Sequence, residues 1–152
     1  MTLWDFYTTV SHPLILPLLR ISWRGVRIDR AKRQEAIVQY VQKEQALTSE
    51  LHTLVGKPLD PHSPKQLMAY VYQDHQVQPI TRQRINVKKE KHVTPTLDET
   101  AIQELATRPI SPTIQKALRL VLDIRATHKI LATYLQAPLD ADGRLRCTYA
   151  IT

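Results

Sequence analysis

This chain of 152 residues is poor in glycine, with three, and has one cysteine, Cys147. A lone cysteine excludes an internal disulfide and fits a reducing compartment. No Gly-rich phosphate loop, nucleophile elbow or Cys/His pair can be found, which leaves no motif for nucleotide hydrolysis or acyl transfer. No apolar run reaches the ~20 residues of a membrane span. The N-terminus lacks the basic stretch and apolar core of a secretory signal, so none is expected. The histidines at 12, 52, 62, 75, 92 and 128 are scattered, and none falls at a His/Cys ligand spacing, so no metal site is expected. Acidic residues are outnumbered, 14 against 21 Lys and Arg, giving a net charge of +7. That surplus favours an anionic partner, nucleic acid ahead of membrane.

What is present is apolar periodicity broken by proline. Hydrophobic residues make up 43% of the chain and prolines number ten, a pattern of helices joined by proline-punctuated loops. One helix is predicted over 13–23, ending at Gly25 before a short strand at 26–28. Asp29 caps a second helix to about residue 55, with Gly56 as its stop and Ile37, Val41, Leu47, Leu51 and Leu54 or Val55 on its buried side. Ser63-Pro64-Lys65-Gln66 and Thr96-Leu97-Asp98-Glu99 read as capping boxes. Ser111-Pro112 opens a last long helix to about residue 136. An Asp142-Gly143 turn then leads into a strand over 144–151. The predicted fold is mainly α with a small β element: a long antiparallel helix pair with two short strands at its base. The last strand runs to the final residues, which predicts a continuation in something larger.

Three places carry candidate chemistry. Arg125, Lys129 and Thr133 recur every four residues along one side of the last helix. Ala117, Val121, Ile124, Leu131 and Leu135 line another face, with His128 as its one polar member. Two cations and a hydroxyl in a row suit a phosphate backbone, although a solvated basic face has the same pattern. The Ser63 helix start, with Lys65 beside it, offers free N–H groups to an anion, and equally reads as a plain cap. The segment 81–93 carries Arg82, Arg84, Lys88, Lys89 and Lys91 against Glu90, with a short hairpin possible at 84–87. It is either a solvated loop or a phosphate contact. No catalytic residue is expected. Asp98 and Glu99 sit at a helix start, and Asp140 and Asp142 belong to a turn.

Four stretches in order resemble the DNA polymerase I type, family A. They are Pro13-Leu14 through Gly25-Val26-Arg27-Ile28-Asp29, Leu59-Asp-Pro-His-Ser63-Pro64-Lys65-Gln66-Leu67, Pro95-Thr96-Leu-Asp-Glu99, and Arg125…Lys129…Thr133-Tyr134 followed by Gly143-Arg144-Leu145-Arg146. The resemblance covers about residues 12–152 and matches that family's thumb and the start of its palm. It departs where Ser11-His12 replaces an acidic residue, where Leu131 replaces a second Lys, and where Arg146 replaces a His; the basic loop is also longer. A divergent member is implied, with a phage-like enzyme as one form of it.

The resemblance implies a division into a helix and strand of the palm base (1–29), a thumb-like helical region with a basic tip loop at 79–93 (30–136), and a turn and strand leading into the palm (137–152). It implies a DNA-gripping part of a DNA-directed DNA polymerase, a nucleotidyltransferase of replication or repair. The partner would be primer–template duplex, with a separate palm–fingers chain as a further possibility and a cytoplasmic location in a bacterial or phage-infected cell. The palm aspartates and their Mg2+ lie beyond the matched region, so no cofactor and no activity are expected of this chain alone. A non-enzymatic duplex-binding module and a helical-hairpin protein-interaction domain are the alternatives.

Overall fold

The computed structural model describes residues 1–85 and 91–148, and their side chains except at 83–85, 91 and 92. It is mostly helical, with two antiparallel two-stranded sheets. Two compact units divide the chain: Met1–Val38 with Ala132–Thr152, and Gln39–Leu131.

In the larger unit the apolar periodicity of the sequence becomes a core. It holds most of α3 (Arg30–Val55), α4 (Pro64–Met68) running on as a wider π-type turn (Ala69–Asp74), a hairpin of β2 (Thr81–Ile85) and β3 (Lys91–Pro95), α5 (Glu99–Thr107) and α6 (Pro112–Lys129). Leu51, Leu67, Val71, Ile102, Leu105, Leu118, Val121 and Ile124 are all but inaccessible to solvent. Leu47, Leu54 and Val55 pack against this core from α3, as their spacing predicts. Glu50 pairs with Lys116 at 2.8 Å and Glu44 with His128 at 2.9 Å, so α3 and α6 run antiparallel.

The smaller unit begins with α1 (Leu3–Phe6), a π-type turn (Tyr7–Ser11) and α2 (His12–Arg24). The helical segment thus starts ten residues before the predicted 13. Thr2 and Asp5 form a reciprocal capping box, Thr2 N–H donating to Asp5 at 2.8 Å and Asp5 N–H to Thr2 Oγ1 at 3.1 Å. The wide turn lies just before Pro13. A proline ring crowds the carbonyl four residues back, here that of Thr9, and an expanded turn relieves that crowding. β1 (Val26–Arg27) pairs antiparallel with β4 (Arg144–Leu145), Val26 opposite Leu145. Only these two residues of the predicted 144–151 strand join the ladder among the described residues; 149–152 lie outside them.

Gly25 lies at φ +60°, and a Cβ there would stand 2.7 Å from Arg146 Cγ and 2.8 Å from the Leu145 carbonyl. Guanidinium groups stitch this unit. Arg33 donates to the carbonyls of Leu135 and Ala137, Arg144 to that of Arg24, and Arg146 to that of Trp23. Among its described residues only Gly143 is buried.

Three local expectations change. The α5 cap is Asp98, not Thr96: Asp98 Oδ1 accepts from Ala101 N–H at 2.9 Å. Thr96 is still part of the hairpin's exit, its N–H donating to the Ile80 carbonyl. At Ser63 the box is half formed. Ser63 Oγ accepts from Gln66 N–H, but the Gln66 side chain accepts from Asp60 N–H instead of Ser63 N–H. The hairpin strands are Thr81–Ile85 and Lys91–Pro95; of the expected 84–87, positions 84 and 85 fall on the first strand, and 86 and 87 lie outside the described residues.

Candidate nucleic-acid interface

Two of the sequence-derived sites meet in the larger unit. α6 presents Arg125 toward the segment before α4, where its Nε donates to the Pro61 carbonyl at 2.8 Å. A second N–H donates to the Leu97 carbonyl at 3.4 Å. Half-buried Arg125 therefore ties the approach to α4 to the approach to α5. Two of its five N–H donors serve these bonds, which leaves three for an external acceptor. Burial pulls its pKa down from the usual guanidinium value, with the Glu99 and Asp60 charges acting the other way. It stays protonated, as arginine does in proteins.

Arg125 shares a hollow of about 410 Å3 with Pro64, Pro95, Thr96 and Asp98, so the Ser63 helix start and this guanidinium border one space. Lys129, one turn further on, is exposed and lies with Arg125 and Glu99 along a second hollow. Lys65 is exposed on the first turn of α4. Thr133 is exposed but falls in the π-type turn Ile130–Leu135 and in the other compact unit. The four-residue spacing that set it in line with the two cations belongs to an α-helix and does not extend through that turn.

The hairpin cations divide. Arg82 is engaged at home, donating to Thr100 Oγ1 at 2.7 Å and lying 3.5 Å from Asp98. Arg84 and Lys91 stand on β2 and β3, with their side chains outside the described residues. Lys88 and Lys89 also lie outside them. Charge concentrates in this segment all the same. Without the five cations and one acid of 81–93, the larger unit carries eight basic and eight acidic side chains. The net positive charge of the larger unit therefore lies in this segment.

Of the acidic residues expected at the helix start and the turn, Asp98, Asp140 and Asp142 have partners within the chain. Asp98 caps α5 and accepts from Thr100 as well. Asp140 and Asp142 are gripped by Arg146 at 2.6 Å each. That fork holds the Asp142 carboxyl down at about 2 and raises the pKa of Arg146.

The sequence pattern does not disclose the inward tie of Arg125. Its only local signal is that Arg125 sits one residue past Ile124, at the edge of the buried face. Nor does it disclose the meeting of Glu44, His62 and His128, whose ligating atoms all lie within 4.8 Å of one another. His128, the polar member of an apolar set, is its one visible sign.

No protein-family model matches the chain. No helix among the described residues is long and apolar enough to cross a membrane. The chain is 28% identical over 154 residues to a DNA polymerase I of Caldicellulosiruptor bescii, across 96% of this chain and 16% of that protein. The chain is thus distantly similar, along nearly its whole length, to a small part of a DNA polymerase I.

Proposed function

We propose that this chain is the duplex-gripping part of a DNA polymerase of the DNA polymerase I type, the thumb with the strand that leads into the palm. The likeness to a DNA polymerase I across 96% of the chain carries this reading. The basic surplus and the antiparallel α3–α6 pair agree with it. Arg125, Lys129 and the Ser63 helix start would receive backbone phosphates, and the hairpin cations would supply attraction at longer range. The synthetic reaction, its Mg2+ and its nucleotide contacts would belong to a palm and fingers, in the same polypeptide or in a separate chain.

Fluorescence anisotropy of a labelled primer–template against salt tests the DNA contact. Sequence-independent binding in the range of about 10⁻⁴ to 10⁻⁶ M is expected, with log K falling as log salt rises. Replacing Arg84, Lys88, Lys89 and Lys91 by Gln should flatten that slope by roughly 0.9 for each phosphate no longer neutralised. No binding at low salt would reject the proposal. If the enzyme is split, mixing this chain with a palm–fingers chain should raise primer extension, and no gain would count against a split form.

A further inference from the structure

Glu44 on α3, His62 before α4 and His128 on α6 come from three separate segments of the larger unit. The ligating atoms of all three lie within 4.8 Å of one another. His128 Nδ1 is 2.9 Å from Glu44 Oε1, and the two imidazole rings stand 4.6 Å apart between centroids. Glu44 is half-buried and the two histidines are exposed, so the group opens to solvent on one side. The His62 backbone is itself held: its N–H donates to Asp60 Oδ1 at 2.8 Å, and the neighbouring Pro61 carbonyl accepts from Arg125.

We propose that these three side chains form a binding site for a borderline divalent cation of the zinc class. Two imidazoles and one carboxylate suit Zn2+, Co2+ or Ni2+. Mg2+ and Ca2+ demand oxygen ligands and fit poorly. Zinc at ~2.1 Å from each ligand sets them ~3.4 Å apart in a tetrahedron, so small side-chain rotations suffice to close the present spacing. Three protein ligands leave the fourth position to water. The ion would act as a clip, fastening the segment ahead of α4 to both long helices at once. The inference stands apart from the DNA reading, because no nucleic-acid contact enters it.

Zinc binding to the full chain, followed by titration calorimetry with Zn2+ and by the visible spectrum of the Co2+ form, tests it. One equivalent is expected, with tetrahedral Co2+ bands and a Tm rise of roughly 5 °C or more at saturating zinc. Glu44→Gln, His62→Ala and His128→Ala should each weaken binding by at least about 100-fold, since losing mere supporting groups already costs about 10- to 100-fold. His52→Ala and Cys147→Ser should leave it unchanged. The histidines are exposed, and circular dichroism would verify that the variants fold. Absence of binding, or binding that survives the His62→Ala/His128→Ala double replacement, would overturn the proposal.

Discussion

The two compact units are stabilised by different physics. Gln39–Leu131 buries a continuous set of aliphatic side chains, from Leu51 on α3 to Ile124 on α6. The other unit contains both tryptophans and the single phenylalanine, and leaves all three exposed: Trp4 at 69%, Phe6 at 44% and Trp23 at 82%. Its ties are guanidinium groups on backbone carbonyls, from Arg33, Arg144 and Arg146. Large apolar residues do not guarantee a core. Burial depends on having enough elements to close over them, and a helix with a two-residue ladder does not.

The contrast is sharpest at the core. Ile124→Ala should lower stability by about 2–5 kcal/mol, because the side chain is fully enclosed. Leu19→Ala, at a position 60% exposed, should change it by less than about 0.5 kcal/mol. Urea denaturation of both variants measures this, and equal losses would erase the distinction.

A smaller effect separates Arg125 from Lys129. Arg125→Ala leaves the carbonyls of Pro61 and Leu97 without their donor and should cost about 1–3 kcal/mol. Lys129→Ala should stay within about 0.5 kcal/mol. If both weaken duplex binding alike while only one lowers the Tm, scaffold and contact roles are separated on a single helix.

The smallest effect is acid sensitivity in the stitched unit. The folded Asp142 carboxyl, at about 2, lies below its ordinary 3.8 because Arg146 holds its charged form. A carboxylate depressed on folding stabilises above its unfolded value and loses that contribution as pH falls through the folded one. The stability difference between the wild type and Asp142→Asn should therefore be full above about pH 4 and fade toward pH 2. Its persistence at pH 2 would show that the fork contributes nothing through charge.

Legibility follows sequence distance. α3 is readable because Asp29, Gly56 and the apolar spacing between them are local signals. Asp29 Oδ1 does accept from the N–H groups of Ala31 and Lys32, and Gly56 ends the helix at φ +73°. The pairing of the Val26 and Leu145 strands is legible too, since a strand without a neighbour needs one. The α5 start is ambiguous in sequence because Thr96 and Asp98 both offer side-chain oxygens two residues apart. Only the tertiary bond from Thr96 N–H to Ile80 decides between them. In the candidate interface, the adjacency of Arg125 and the Ser63 helix start joins positions more than sixty residues apart, which no periodicity encodes. The Glu44–His62–His128 group is invisible for the same reason.

The pairing of Val26 with Leu145 also sets a timetable. About 120 residues separate the two strands, and a ribosome adding about 5–20 residues per second needs several seconds to produce the second after the first. Gln39–Leu131 is complete before then and can condense by itself. Throughout that interval the nascent α2, with Trp23 and Leu19 on its surface, has no strand to close beside it.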